Sequence, residues 1–255
     1  MKYDCIIYEK DAGIAIISLN RPKVLNAMNR QLWLDFQDAL EDAKTDAEIK
    51  AVIITGEGRA FSTGADLKES KTRTAEQYRQ YLETLQQASR KIIWFEKPTI
   101  AAINGYALGS GYELALACDI RIAAEDAQIG SPEARVTSSV TGGAFRLVQE
   151  LIGPAKAKEL LFTAENIDGK EAERIGLVNR AVPGDELMKT AKEMAQKIAA
   201  NSAFSVKMIK KGLAMAQSSI SLQSLMDFEI EACLSCVSTK ERQASLEKFE
   251  ERKRG

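Results

Sequence analysis

The segment from Lys97 to Glu133 limits the possible fold more than any other part of the chain. Thr99 to Ile103 is short, apolar and partly β-branched, which predicts a buried strand that begins after Pro98. The glycines that follow are Gly105, Gly109 and Gly111. Glycine lets a backbone turn sharply or approach another group closely. Glu113 to Cys118 is mostly apolar, so the glycine-rich turn is predicted to lead from a buried strand into a buried helix.

Glu113 therefore places one carboxylate in the first turn of a helix that has hardly any other polar side chain. A buried carboxylate needs a partner or a function. The unpaired N–H groups near Ser110 favour an anion, including one that exists only in a transition state. An alternative is a capping box, in which Ser110 and Glu113 only close their own helix. Ser131-Pro132-Glu133 allows a similar alternative, with the serine as N-cap and the proline in the first helical position.

Short apolar strands alternate with amphipathic helices along the first half of the chain. The predicted strands are Cys5–Tyr8, Ile14–Leu19, Ala51–Thr55, Thr99–Ile103 and Ile120–Ala123. The predicted helices are Asn29–Lys44 and Thr74–Phe95, with a loop from Gly56 to Lys71. Strands separated by helices predict parallel pairing with right-handed crossovers. The fold class is therefore α/β.

After Gly142 the sequence pattern is helical almost throughout. The predicted helices are Gly143–Leu151, Ala155–Thr163, Gly169–Ile175, Leu187–Ala199, Ser202–Gln217 and Ser221–Phe249. A brief β-like segment is predicted at Gly176–Asn179. A soft boundary near Pro183-Gly184 divides an α/β core, residues 1–183, from a helical C-terminal region, residues 184–255.

The chain contains no histidine, which excludes Ser-His-Asp and Cys-His catalysis and removes the commonest metal ligand. Acid–base chemistry near neutral pH must then fall to carboxylates, lysine, tyrosine or cysteine. The 35 basic and 36 acidic residues give a formal net charge of −1. Because this balance provides no general attraction to polyanions, we expect neither nucleic acid nor membrane as a partner.

The pattern of cysteines favours a reducing compartment and does not indicate a metal or redox site. Cys233 and Cys236 form a CxxC within a helical pattern, but no second pair of ligands accompanies them. We expect no metal and a cytoplasmic location. Met1 to Lys10 has no signal-peptide pattern, and no apolar run approaches membrane-spanning length. The charged end, Lys248 to Arg254, is expected to be a solvated helix face.

Two long segments carry a family resemblance. Arg59–Glu69 reads RAFSTGADLKE, and Ala101–Ala115 reads AAINGYALGSGYELA. With Cys118–Arg121 and Pro132-Glu133 downstream, they resemble the crotonase (enoyl-CoA hydratase/isomerase) family. The resemblance extends from about residue 8 to about residue 250. It implies a spiral of ββα units, with a C-terminal helical part that supports assembly into a homotrimer or a dimer of trimers.

The resemblance also implies an acyl-CoA thioester substrate and the residues that act on it. It places the two donors of an oxyanion hole at the N–H groups of Ala65 and Ser110. Serine is compatible with a position often held by glycine, since a backbone donor tolerates a change of side chain. The implied catalytic pair is Glu113, which orients and activates a water molecule, and Glu133, which delivers a proton to the α-carbon.

Two loops are implied to bind coenzyme A, which is part of the substrate, so no separate cofactor is expected. The first contains Ala65, Asp66, Leu67 and Lys68, and Ser110 completes the substrate contacts. For Lys68, an ordinary solvated lysine is the alternative. The second loop is Lys23–Met28, a pattern that a plain helix start also explains.

The chain departs from the family pattern after Glu133. The family commonly has Pro-Gly-x-Gly-Gly in this loop, whereas Ala134–Arg146 lacks that proline and is one residue shorter. Since the loop should face the acyl group, the identity of the substrate is left open. Tyr112 replaces a typically smaller residue and is expected to narrow the pocket.

The sequence thus predicts an enoyl-CoA hydratase of fatty acid metabolism, which converts a 2-enoyl-CoA to a 3-hydroxyacyl-CoA. Two acids favour hydration because isomerases of the resembled family often retain only one at these positions. The alternative is an enoyl-CoA isomerase, or a specialised acyl-CoA dehydratase or decarboxylase, on the same fold. A non-catalytic binding protein, for instance one that contacts RNA, is a further alternative, but the near-neutral charge and both glutamates count against it.

Overall fold

A computed structural model describes residues 3–218 and 220–237, together with Thr239 and Arg242. The strands are β1 (Ile6–Asp11), β2 (Ile14–Leu19), β3 (Ala51–Gly56), β4 (Ala60–Ser62), β5 (Thr99–Ile103), β6 (Tyr106–Leu108), β7 (Ile120–Ala124), β8 (Ile129–Gly130) and β9 (Arg180–Val182). The helices are α1 (Arg30–Thr45), α2 (Leu67–Ser70), α3 (Ala75–Ile93), α4 (Ser110–Ala117), α5 (Ala144–Thr163), α6 (Gly169–Arg174), α7 (Leu187–Ala199), α8 (Ala203–Ala216) and α9 (Leu222–Val237).

A six-stranded sheet with the order β1-β2-β3-β5-β7-β9 forms the centre of the molecule. β1 pairs antiparallel with β2 as a hairpin, and the remaining pairs of this sheet are parallel. A second, parallel sheet has the order β4-β6-β8. The predicted α/β class and the parallel pairing are therefore confirmed.

The central strands read as continuous apolar runs because both faces of the large sheet are covered. Along β2, Ile17 and Leu19 point into the main core, which also contains side chains from α1, α3 and α4. Ile14 and Ile16 point to the opposite face, where α7 covers the sheet with Leu187 and two alanines. α7 follows the predicted boundary at residue 183, yet it packs directly on the sheet.

Three successive units build the layers that hold the site. In each unit the first strand joins the large sheet, the second joins the small sheet, and a helical segment follows. The units are β3-β4 with α2 and α3, β5-β6 with α4, and β7-β8 with α5. This repetition is the spiral of ββα units that the resemblance implies, and it brings the ends of β4, β6 and β8 side by side.

Several boundaries differ from the predictions. The predicted loop up to Lys71 contains β4 and α2, and β6 and β8 were not predicted at all. The last strand was predicted at 176–179, but the strand that pairs with β7 is β9, which begins four residues further on. The helices predicted at 143–151 and 155–163 are joined as α5, with a kink at Gly153, where φ is +75°.

The C-terminal helices α8 and α9 pack against each other, and two lysines of α8 form ion pairs with the body. Lys207 Nζ lies 2.7 Å from a carboxylate oxygen of Glu96, and Lys210 Nζ lies 2.6 Å from one of Asp119. The end of the helix predicted to reach Phe249 and the charged segment 248–254 lie outside the described residues. None of the helices that the structure describes is long and apolar enough to cross a lipid bilayer.

Candidate active site

The first turn of α4 forms one wall of the candidate site. Gly109 is its N-cap residue with φ +53°, and no side chain caps this helix end. The N–H of Glu113 donates to the carbonyl of Gly109 at 2.9 Å, while its side chain turns away from the helix end. The capping-box alternative for Ser110 and Glu113 is therefore wrong. α4 begins at Ser110, where the helix start was predicted.

Glu113 is a buried carboxylate, 3% exposed, that is held by one neighbour. Thr141 donates to it twice: from its N–H to Oε1 at 2.5 Å and from its hydroxyl to Oε2 at 2.7 Å. Burial, with a smaller contribution from the charge of Glu133, raises the pKa of Glu113 from 4.5 to about 7 against the two bonds from Thr141. Because the pKa lies near neutrality, this group can exchange a proton under ordinary conditions.

Glu133 reaches the same helix end from the other side. It begins a 3₁₀ turn, Glu133–Val136, and its Oε2 accepts a hydrogen bond from the Ser131 hydroxyl. Its Oε1 lies against Gly109, since a Cβ at that glycine would be 2.8 Å from this oxygen. The N-cap alternative for Ser131 is wrong, because Pro132 holds the cap position and no side chain caps the turn. Glu133 thus lies at the start of α4, close enough for its charge to act on Glu113.

Two backbone N–H groups lie beside these carboxylates. Gly64, with φ +92°, packs so closely on the start of α4 that a Cβ would lie 3.1 Å from the nitrogen of Ser110. The N–H groups of Ala65 and Ser110 have no acceptor among the residues that the structure describes. Both neighbours of Ala65 bond to Met28, through the carbonyl of Gly64 at 2.7 Å and the N–H of Asp66 at 3.1 Å. The N–H of Ala65 therefore points away from Met28.

The two segments predicted to bind coenzyme A lie side by side. Arg21 Nη1 bonds to Oδ2 of Asp66 at 2.9 Å, and Met28 pairs with Ala65 in an isolated bridge. The Asp66 carboxylate also caps α2 by accepting from the N–H of Lys68 at 3.1 Å. Burial acts to raise the pKa of Asp66, but the bonds from Arg21 and the backbone lower it overall. Asp66 thus has an internal role, whereas the Leu67 and Lys68 side chains are exposed.

Three site residues escaped the sequence analysis or were given another role. Thr141 and Arg73 carried no signal, and Tyr81 was recognised only as part of the apolar stripe of α3. The Tyr81 hydroxyl donates to the carbonyl of Met28 at 3.2 Å and accepts from Trp33 Nε1 at 3.5 Å. Burial raises the pKa of this hydroxyl, whereas Trp33, Arg73 and the side chain of Ser110 lower it. Tyr81 therefore contacts Met28, which pairs with Ala65, and lies close to the side chain of Ser110.

Three further positions were singled out in the sequence. The ring of Tyr112, which was expected to narrow the pocket, is buried in the main core. Burial raises its pKa. Cys233 and Cys236 lie on α9 as free thiols. Within the described part of the chain, no three acidic or cysteine side chains converge as they would around a metal ion.

The site thus combines a buried carboxyl group of near-neutral pKa, a second carboxyl group and two unpaired backbone donors at a helix N-terminus. Such a set can move protons on two sides of a bound molecule while stabilising a developing negative charge. Together, fold and site define the class: an α/β protein of ββα units with an acid–base site at the start of the central helix.

Comparisons with known proteins identify the family within this class. A profile described as enoyl-CoA hydratase/isomerase matches residues 9–255. The chain belongs to the enoyl-CoA hydratase/isomerase family, as the resemblance predicted.

Relatives and solved structures match along almost the whole chain. The short-chain-enoyl-CoA hydratase of Clostridium acetobutylicum is 38% identical, over 100% of this chain and 97% of the relative. The crotonyl-CoA hydratase of Syntrophomonas wolfei is 36% identical, over 100% of this chain and 98% of the relative. A crystal structure of an enoyl-CoA hydratase from Bacillus anthracis superimposes with a TM-score of 0.95 at 35% identity, over 98% of this chain and 97% of that one.

Proposed function

We propose that the chain is an enoyl-CoA hydratase, which adds water across the 2,3-double bond of a 2-enoyl-CoA to give a 3-hydroxyacyl-CoA. Full-length relatives with this activity in their names support the reaction. The observation that carries the proposal is the convergence of Glu113, Glu133 and the two free N–H groups at the start of α4. Coenzyme A is part of the substrate, and the reaction needs no further cofactor.

In the proposed mechanism, the N–H groups of Ala65 and Ser110 hydrogen-bond to the thioester oxygen and stabilise its developing negative charge. Ionised Glu113 takes a proton from water as the water oxygen forms a bond to the β-carbon. The side chain of Glu133 delivers a proton to the α-carbon, and the double bond becomes single. Proton exchange between the two carboxyl groups or with solvent restores the starting state.

Substitution of each acid tests these roles. We expect Glu113→Gln and Glu133→Gln each to lower kcat on crotonyl-CoA by about 10²–10⁴-fold, because proton transfer by a positioned side chain contributes this much. Binding of the thioester should persist, since the amide keeps the shape of the side chain. The loss of enoyl absorbance measures turnover, and Glu83→Gln on the exposed face of α3 is the matched control.

Two results would contradict the proposal. Unchanged turnover in either glutamine variant would remove that residue from the mechanism. If the wild-type protein leaves crotonyl-CoA unchanged but isomerises a 3-enoyl-CoA, the activity is isomerisation on the same fold.

We further propose that the loops 23–28 and 65–68 bind coenzyme A. Their direct contact, through the bridge between Met28 and Ala65, supports a continuous surface for the nucleotide. The exposed Lys23 and Lys68 then lie where they can neutralise phosphate groups. The proposed location is the cytoplasm, and the proposed assembly is a homotrimer or a dimer of trimers.

A further inference from the structure

Ser62 lies where the loop that carries Ala65 meets the start of α4. It is the last residue of β4, and it is fully buried. Because β4 pairs with β6, and β6 leads directly into Gly109, the end of β4 lies beside the first turn of α4. The proposed mechanism gives this buried hydroxyl group no role.

The Ser62 hydroxyl uses its proton and one lone pair to join two loops. It donates to the carbonyl of Asn26 at 2.8 Å, and it accepts from the N–H of Gly64 at 3.1 Å. Asn26 is itself held in place, because its side-chain amide donates to the carbonyl of Ala60 at 2.7 Å. The hydroxyl therefore ties Gly64 to a fixed carbonyl, and Gly64 directly precedes Ala65, one of the two proposed oxyanion donors.

The same residue contacts the helix that carries the other donor. A Cβ at Gly111 would lie 2.3 Å from the carbonyl oxygen of Ser62 and 2.9 Å from its Cβ, so the backbone of α4 packs directly on Ser62. Gly64 also touches this helix end, since a Cβ there would lie 3.1 Å from the nitrogen of Ser110. Ser62 thus contacts the residue next to each proposed donor.

We infer that Ser62 is a positioning residue for the oxyanion hole, and that its hydroxyl sets the spacing and direction of the N–H groups of Ala65 and Ser110. This inference rests on the proposed hydratase function and adds a residue to that site. Backbone donors stabilise a developing oxyanion most strongly when they are already aimed at it before the reaction begins. The two hydrogen bonds of the hydroxyl and its contact with α4 provide that fixed arrangement.

A second bond to Gly64 limits the damage that loss of the hydroxyl would cause. The carbonyl of Gly64 accepts from the N–H of Met28 at 2.7 Å, and this bond does not involve Ser62. Without the hydroxyl, the N–H of Gly64 loses its acceptor while its carbonyl stays bound. We therefore expect the N–H of Ala65 to be displaced while the loop itself stays folded.

The test measures both turnover and the polarisation of a bound carbonyl group. We expect Ser62→Ala to lower kcat on crotonyl-CoA by about tenfold to a hundredfold with little change in KM, because displacing a donor costs less than the roughly 10²–10³-fold of deleting one. Hydrogen bonds to a thioester oxygen lower its carbonyl stretching frequency. Infrared difference spectra of bound butyryl-CoA, which has no double bond to hydrate, should show a smaller downward shift in Ser62→Ala than in the wild-type protein.

Two further variants serve as comparisons. Ser62→Cys keeps the size of the side chain but has a weaker donor and acceptor, so its kcat and carbonyl shift should lie between those of Ser62→Ala and the wild-type protein. Thr55→Val removes another buried hydroxyl, which donates to the carbonyl of Ala102 at 2.9 Å between β3 and β5. This control should keep the wild-type kcat and carbonyl shift.

The possible failures are distinguishable. A wild-type carbonyl shift in Ser62→Ala would overturn the inference even if turnover falls, because Ser62 would then act only on stability. Failure of both Ser62 variants to fold would also overturn it, since the hydroxyl would then be needed for the fold and not for the hole. If the wild-type protein does not shift the carbonyl of butyryl-CoA and does not hydrate crotonyl-CoA, the proposed function itself fails.

Discussion

Thr141 and Glu113 are joined by two hydrogen bonds in the site. The threonine occupies one position on each carboxylate oxygen, so each oxygen keeps a lone pair that can accept from a water molecule. Hydrogen bonds to the charged form of an acid lower its pKa, whereas burial raises it. The value of about 7 for Glu113 is therefore a balance between an apolar helix and one threonine.

Thr141→Val tests this balance. The variant keeps the backbone bond to Glu113 but loses the hydroxyl bond, so we expect the pKa of Glu113 to rise further. The proposed role needs ionised Glu113, and the low-pH limb of kcat/KM on crotonyl-CoA should therefore move upward by about one unit. Thr141→Ser keeps the hydroxyl and should retain the wild-type profile. A uniform loss of activity at every pH, with the limb unmoved, would show that Thr141 has only a structural role.

Site residues differed in how far the sequence could reveal them. Glu113 was predicted to be important because a lone carboxylate in an apolar helix is unusual. Glu133 and Ala65 were assigned only through the family resemblance. Thr141 follows Glu113 by 28 residues, in the loop that departs from the family pattern, and a short polar loop contains no local signal for a tertiary hydrogen bond. Arg73 cannot be distinguished from the other charged residues in the sequence, and only the fold shows that it stacks on Tyr81.

At the scale of elements, Gly109 sets the spacing between the start of α4 and the Glu133 carboxylate. Gly109 has positive φ, and its missing side chain leaves room for Glu133. Gly153, at the kink of α5, also has positive φ, but a Cβ there would meet nothing within 4 Å. Both glycines thus have positive φ, but only at Gly109 would an added Cβ contact another group.

This difference gives a matched pair of variants. We expect Gly109→Ala and Gly153→Ala each to lower the free energy of unfolding by about 1–3 kcal/mol, because both force alanine into a strained conformation. Only Gly109→Ala should also lower kcat on crotonyl-CoA strongly, since its Cβ displaces the Glu133 carboxylate. Denaturant unfolding and the enoyl absorbance assay provide the two measurements. Equal turnover in both variants would contradict the placement of Glu133.

Element prediction succeeded where the apolar pattern was long and failed where it was short. β5 and α7 have the predicted bounds, because a five-residue apolar run and a long amphipathic repeat are clear signals. β4, β6 and β8 contain two or three residues each, too few to show a period. β9 is partly exposed and lies at the edge of the large sheet, so its pattern resembles a loop. The small sheet could be expected only from the family resemblance.

At the scale of the whole molecule, α8 and α9 have no buried residue between them, although both carry many apolar side chains. The exposed ones are Ile209, Leu213, Leu222, Met226, Ile230, Leu234 and Val237. A set of this size on two adjacent helices is typical of a surface that another protein covers. It supports the proposed assembly of several copies.

Ile230→Glu tests that assembly. Ile230 is 59% exposed in the single chain, so the substitution should barely affect the fold of one subunit. Burial of the new charge between subunits would be costly, and we expect light scattering to show dissociation to a smaller species. Phe162→Glu, at an exposed aromatic residue of α5, is the control. A wild-type protein that is already monomeric would contradict the proposed trimer.

The burial of Glu113 also makes the native state less stable as the pH rises from about 4.5 to about 7. Once the chain unfolds, water surrounds this carboxyl group and it ionises near 4.5, whereas in the native state it retains its proton up to about 7. As pH rises through that interval, the denatured ensemble releases the proton first, so the equilibrium moves toward denaturation. Above about pH 7 the folded chain must keep the ionised Glu113 carboxylate buried, which lowers the free energy of unfolding. The group proposed to drive turnover therefore destabilises the native state.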